Sequence, residues 1–135
     1  MERSAQRPLE LILARNLLST LSTPAFLVNK PGDLVFYNEA AGMLLGTRFE
    51  ERGVMPATEW VETFGPIDEV NEPIPIARQP LTTALRHNRP GHAHHRIRSI
   101  DGAVHPVEVS AVPVIGTDGS HGAMVFFWVS AGATA

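Results

Sequence analysis

The sequence contains no cysteine among its 135 residues. A disulfide, a thiolate nucleophile, a cysteine-ligated zinc ion and a thiol redox switch are therefore all excluded. Serine-based catalysis also lacks support, because neither Ser110 nor Ser120 stands in a Gly-x-Ser-x-Gly context. The chain offers none of the common nucleophile signatures.

Clusters of basic residues and long hydrophobic runs are missing as well. With 14 acidic and 11 basic residues, the formal net charge is −3 at pH 7, which argues against a nucleic-acid partner. No run approaches the roughly 20 apolar residues of a membrane span, and the first residues lack the apolar core of a signal peptide. We expect a soluble cytoplasmic protein with no nucleic-acid or membrane partner.

The hydrophobic content of the chain is sufficient for one domain. Hydrophobic residues make up 44% of the 135 residues, which is enough for a single packed core. We divide the chain into an N-terminal helical segment over residues 1–22, a main domain over residues 23–130 and a tail over residues 131–135.

The first predicted element is a helix over residues 8–21, with Pro8 at its first position. At about 100° per residue, an arc of roughly 160° is covered by six apolar residues, Leu11, Leu13, Ala14, Leu17, Leu18 and Leu21. So wide an apolar stripe must be covered. Two arrangements stay open, namely burial within the core of the chain, or packing across a sheet and against a second subunit.

Two short strands and two helices are predicted next. Strands over residues 25–29 and 34–37 flank a turn, and Asn38 then caps a helix over residues 39–45 that Gly46 ends. After an irregular segment, a further helix is predicted over residues 77–88.

Two Asp-Gly turns predict a three-stranded antiparallel meander over residues 93–129. A two-residue loop at Asp101-Gly102 would place valines on the same face as histidines. We therefore infer a three-residue loop, with Gly102 in the left-handed region and Ser99 opposite Ala103. The inner face then carries Ala93, His95 and Ile97 opposite Val109, Val107 and His105, and the outer face carries His92, His94, Arg96 and Arg98 opposite Ser110, Glu108, Pro106 and Val104.

The last strand is apolar on both faces, which is not typical of a solvated sheet. Exposed apolar patches usually mark interfaces. We expect the helix over residues 8–21, from the same chain or a partner, to cover the outer face and a homodimer to form there. The predicted dimer interface consists of Leu11, Leu18, Met124, Phe126 and Trp128.

The order of elements predicts an α+β fold with one five-stranded antiparallel sheet. Short helices should cover one face of this sheet, and the N-terminal amphipathic helix should pack on the outer face.

Residues 34–41 with Leu44-Leu45-Gly46 resemble the strand-to-helix signature of PAS domains. The second half agrees, because residues 80–85 and the two Asp-Gly turns resemble the late helix and last strands of that family. The resemblance implies a sensory or regulatory module that binds a small ligand or a partner between sheet and helices. Such modules commonly pair and control a kinase, phosphatase, cyclase or transcriptional output. The chain stops just past the last strand, which is compatible with a piece of a larger regulator.

Comparison with cofactor-binding members of the family indicates which cofactors this chain is not expected to bind. Light sensors of the LOV type and photoactive yellow protein attach flavin or a thioester chromophore through cysteine, which this chain lacks. Haem-binding members place a proximal histidine in the late helix near the position of Pro80, whereas His87 lies at the helix end. We therefore expect neither chromophore and no haem.

A small, largely apolar ligand pocket is predicted between the sheet and the helices. The candidate pocket residues are His95, His105, Ile97, Val107, Tyr37, Trp60 and Phe64. In the alternative hypothesis the domain serves only interaction or dimerisation, and Tyr37, Trp60 and Phe64 fill the cavity. No pair of carboxylates falls on an inner face, so we expect no catalysis.

His92 and His94 share the outer face with Glu108. Two imidazoles at this spacing can ligate one metal ion if a third ligand is added. We interpret the group as a solvated strand with a cross-strand ion pair and predict no metal site.

Overall fold

The computed structural model describes residues 9–75 and 78–129. Its strands are β1 (Ala25–Asn29), β2 (Leu34–Tyr37), β3 (Gly91–Arg98), β4 (Val104–Gly116) and β5 (Gly119–Val129). They form one antiparallel sheet in the order β2-β1-β5-β4-β3. The predicted α+β fold is confirmed. Pro8, Ala77 and the predicted tail over residues 131–135 lie outside the described residues.

Five helices accompany the sheet in the described part of the chain. They are α1 (Leu9–Leu18), α2 (Glu39–Leu45), α3 (Phe49–Arg52), α4 (Ala57–Phe64) and α5 (Pro80–His87). Helix α1 ends three residues before the predicted boundary, because the hydroxyls of Ser19 and Thr20 bond backbone carbonyls of the preceding turn. None of these helices is long and apolar enough to cross a membrane.

The inner face of the sheet carries the main core. Phe26 lies at its centre, with ring centroids 5.7 Å from Trp60, 6.4 Å from Phe64 and 4.7 Å from Phe127. Most of these ring pairs are edge-to-face or tilted, the arrangement that aromatic quadrupoles favour. Helix α4 thus closes the inner face with Trp60 and Phe64, and α5 adds Leu81, Ala84 and Leu85.

The outer face of the sheet is covered by α1 of the same chain. Leu11, Ala14 and Leu18 lie on one side of the helix and are buried against Leu27, Phe36 and other apolar residues of the sheet. The guanidinium of Arg15 lies 4.4 Å from the centre of the Phe36 ring, in a cation–π contact. The predicted covering of this face by the N-terminal helix is confirmed.

The β3–β4 hairpin has the predicted register. His95 pairs with Val107 and Ile97 with His105, and the turn between them is the three-residue loop. Gly102 has a φ of +91°, which favours glycine. The Asp101 carboxylate accepts bonds from the Ser99 hydroxyl and the Ala103 N–H, and these bonds lower the pKa of Asp101, the Ser99 bond most of all.

Asn38 joins three elements at the end of β2. Its side-chain oxygen accepts bonds from the N–H of Ala41 in α2 (3.0 Å) and the N–H of Ala25 in β1 (3.1 Å). Its amide donates to the carbonyls of Leu18 (3.0 Å) and Thr23 (2.8 Å). The predicted cap of α2 is confirmed, and the same side chain also fixes the end of α1.

Replacing Asn38 with alanine should lower the free energy of unfolding by roughly 2–4 kcal/mol, because a helix cap is lost and buried backbone groups are left without partners. Urea denaturation followed by circular dichroism measures this change. Asn16→Ala, at an exposed position of α1, is the matched control and should change stability little. A loss below about 1 kcal/mol for Asn38→Ala would contradict this role.

Candidate functional site

An internal cavity lies between the inner face of the sheet and helices α4 and α5. Its wall is almost entirely apolar, and His95 and Gln79 are the polar side chains in it. The lining residues are Phe26, Trp60, Phe64, Gly65, Pro66, Gln79, Pro80, Leu81, His95, Ile97, Val109, Val125 and Phe127.

The cavity is small, with a volume of about 30 Å³. Pockets for organic ligands typically measure about 300–1,000 Å³, whereas one water molecule occupies about 30 Å³. The aromatic rings account for the difference. Trp60 is also fixed in place, because its indole N–H donates to the carbonyl of Gly32 at 3.0 Å. In this conformation the interior is packed rather than open.

His95 is the unusual residue of the cavity. Both ring nitrogens are shielded from solvent, and neither has a hydrogen-bond partner among the described residues. Burial lowers the pKa of His95. The backbone of His94, which does not meet hydrogen-bond geometry with the ring, raises this pKa by a smaller amount. The ring is therefore neutral near pH 7 and carries an unused donor and acceptor.

Of the predicted pocket residues, the structure brings four to the cavity wall: His95, Ile97, Trp60 and Phe64. The other three lie elsewhere, so their assignment to the pocket is corrected. Val107 is buried in the main core but does not line the cavity. His105 lies near the turn, where its Nε2 is 3.2 Å from the Ser99 hydroxyl oxygen. The Tyr37 hydroxyl donates to the carbonyl of Thr47, and burial raises its pKa.

Part of the wall was not predicted. Gly65 and Pro66 follow α4, and Gln79 and Pro80 begin α5. Gln79 is buried, and its amide donates to the carbonyl of Ile74 at 3.0 Å. The sequence carries no periodic pattern that marks Gly65, Pro66 or Gln79 as part of a pocket.

A wider cleft opens along the outer edge of β3, where Ile67 forms an isolated antiparallel bridge with Arg96. It has a volume of about 630 Å³ and lies between the strand and the loop over residues 67–74. Arg96 spans it, because its guanidinium donates to the carbonyls of Asp68 (3.3 Å) and Glu69 (2.9 Å). His95 lines both this cleft and the internal cavity.

The predicted interface residues divide into two groups. Leu11 and Leu18 are buried under the sheet of their own chain, so their assignment to a contact with a second copy is corrected. Met124 and Phe126 are half-buried beside α1, and Trp128 is 45% exposed. The exposed side of α1 carries a different apolar stripe, formed by Leu9, Ile12, Leu13 and Leu17, with exposures of 43–64%. We call these four residues the α1 stripe.

Comparison with known proteins identifies the fold. No protein-family model and no curated protein sequence matches the chain. Solved structures do. A PAS domain from a two-component sensor histidine kinase superposes with a TM-score of 0.62 at 17% identity, covering 90% of this chain and 97% of that one.

Two further neighbours are similar. The PAS domain of the nitrogen regulation protein NR(II) from Vibrio parahaemolyticus has a TM-score of 0.62 at 14% identity, covering 87% of this chain and 98% of its own. A LOV protein from Rhodobacter sphaeroides has a TM-score of 0.70 at 16% identity, and the superposition covers 90% of this chain and 68% of that protein. The chain has the PAS fold, as the sequence resemblance predicted.

Replacing His95 with leucine should leave the free energy of unfolding unchanged or raise it by up to about 1 kcal/mol, because two unpaired buried nitrogens are removed without loss of a bond. The matched variant His105→Leu should lower it by about 1 kcal/mol, since the bond to Ser99 is lost. Thermal and urea unfolding of both variants measure the difference. Destabilisation of His95→Leu equal to that of His105→Leu would contradict the unpaired state of His95.

Proposed function

We propose that this chain is a non-catalytic regulatory module of the PAS type that acts as a homodimer paired through the α1 stripe. The observation that carries the proposal is the two-sided apolar character of α1. One side of the helix is buried on the sheet, and the opposite side presents Leu9, Leu13 and Leu17 at intervals of four residues to solvent.

The spacing of the stripe suits a second helix. Residues four apart lie on one face of a helix and form the ridge that packs into the grooves of another helix. A twofold axis through the stripe would bring the same residues of two copies together, as in most homodimers. Pairing would remove an exposed apolar surface that an isolated domain leaves in water.

The packed interior supports a role in which dimerisation transmits the signal, rather than one in which the domain binds a large ligand. A cavity of about 30 Å³ holds no organic molecule without rearrangement of its wall. The absence of cysteine also removes the covalent flavin chemistry that the resemblance attributes to light sensors of the LOV type.

The kind of protein that this module would control is inferred by analogy with its structural neighbours. One neighbour comes from a two-component sensor histidine kinase and another from a nitrogen regulation protein. We infer a cytoplasmic signalling role in which pairing of this module controls an output such as a kinase, phosphatase, cyclase or transcriptional regulator. This assignment rests on likeness of fold.

The double variant Leu13→Glu/Leu17→Glu should convert the dimer to a monomer, because four carboxylates would face each other across the twofold axis. Light scattering at micromolar concentration measures the mass. Met43→Glu on α2 is the matched control, since Met43 is 80% exposed and apolar but lies off the stripe. A wild-type chain that is monomeric, or a dimer that survives the double variant, would contradict the proposal.

A second candidate function is sensing of a small ligand at His95. The unpaired ring nitrogens favour it, because a ligand with one polar group could satisfy them once the wall opens. Native mass spectrometry and an absorbance spectrum of the purified protein distinguish the two. We expect the bare chain mass; a co-purified molecule that His95→Leu abolishes would instead support the ligand sensor.

A further inference from the structure

Three potential metal ligands converge on the outer face of the β3–β4 hairpin. His92 and His94 alternate along the edge strand β3, and Glu108 lies directly across from His94 on β4. One ligand atom from each of the three residues lies within 4.8 Å of the other two. This group, which we call the outer triad, is independent of the internal cavity and of the α1 stripe.

The distance between His92 and Glu108 is that of an ion pair and is also compatible with a shared metal ion. His92 Nε2 lies 3.5 Å from Glu108 Oε1, beyond the usual 2.7–3.2 Å range of a hydrogen bond. Two ligands on a tetrahedral zinc ion, each about 2.0–2.1 Å from the metal, lie about 3.3 Å apart. The pair therefore already has nearly the separation that a zinc ion requires.

The His92 ring is held in an orientation suitable for ligation. Its Nδ1 lies 2.9 Å from the Ser110 hydroxyl oxygen. When Nδ1 carries the proton and donates it to Ser110, Nε2 presents its lone pair toward Glu108. Metal-ligating histidines typically have such a partner on the second nitrogen, which fixes the tautomer and the ring.

The strands supply the rigidity that a site needs. His92, His94 and Glu108 stand on two hydrogen-bonded strands in register, and β4 is held on its other side by β5. Ligands on strands are positioned more accurately than ligands on loops. His92 and His94 are exposed and Glu108 is half-buried, so an ion can enter from solvent.

We propose that the outer triad binds one Zn²⁺ ion through two imidazole nitrogens and one carboxylate oxygen. Two nitrogens and one oxygen form a donor set that zinc accepts, and three protein ligands leave the fourth position to water. Zinc bound there joins the edge strand β3 to β4. Under this proposal the face is a metal site, whereas the sequence-based interpretation is a solvated strand with a cross-strand ion pair.

A second group of possible ligands, Glu10, Asp118 and His121, serves as an internal comparison. There His121 Nε2 lies 2.6 Å from Asp118 Oδ1 and 3.4 Å from Glu10 Oε1. The nitrogen that would bind a metal is already hydrogen-bonded to a carboxylate. This group acts as a link between α1 and the β4–β5 turn and should not bind zinc.

Isothermal titration of the metal-free full chain with Zn²⁺, in a form without a histidine tag, tests the proposal. We expect one ion per chain. His94→Gln and Glu108→Gln should each weaken binding more than about tenfold, and Ser110→Ala about tenfold, through the loss of a ligand or of its orienting partner. His87→Gln and His121→Gln are the matched controls and should bind as the wild type does.

Trp128 provides an independent optical measurement, because it is the cross-strand neighbour of Glu108 on β5 and the side chains of such pairs lie about 5 Å apart. Ni²⁺ binding should quench its fluorescence in the wild type and in His121→Gln, but not in His94→Gln. Trp128→Phe should lose the quenching and keep the Zn²⁺ affinity.

Three results would overturn the proposal. They are the absence of Zn²⁺ binding by the wild type, binding that His121→Gln abolishes while His94→Gln retains it, and a stoichiometry of one ion per two chains. Circular dichroism of each variant shows whether the fold is intact. If His94→Gln fails to fold, Glu108→Gln and the Ni²⁺ quenching decide the outcome.

Discussion

The turn between β3 and β4 determines which side chains face the interior and which face solvent. Gly102 adopts a positive φ that a side chain would strain, and the Asp101 carboxylate closes the loop by accepting two hydrogen bonds. Since side chains alternate along a strand, a loop one residue shorter would turn one strand over relative to the other and place the valines of β4 on the same face as His92 and His94. This turn therefore determines that His95 lines the cavity and that His92 and His94 lie on the outer face.

Asn38 connects α1, on the outer face of the sheet, to α2 and β1. Its amide holds the carbonyl of Leu18 at the end of α1, while its oxygen caps α2 and bonds β1. At the other end of α1, Glu10 faces His121 of β5. Side chains therefore fix both ends of α1, Asn38 to α2 and β1 and Glu10 to β5.

The sequence predicted the sheet and the hairpin register because Asp-Gly turns and strict alternation leave only one loop length consistent with an apolar inner face. It did not predict which side of α1 is buried. Leucines stand on both sides of that helix, so Leu13 and Leu17 could not be distinguished from Leu11 and Leu18 by periodicity alone. The cavity wall at Gly65 and Gln79 was also missed, because the irregular segment before α5 carries no periodic pattern.

Pairing through the α1 stripe is the central claim, and a distance between two copies tests it most directly. The native chain has no cysteine, so Met43→Cys, at an 80% exposed position of α2 that lies off the α1 stripe, gives one spin-labelling site per chain. A dimer with a twofold axis has a single distance between its two labels. Pulsed electron paramagnetic resonance should therefore find one narrow label-to-label distance, which the Leu13→Glu/Leu17→Glu variant should lose. The absence of any dipolar interaction between copies at micromolar concentration would contradict the account.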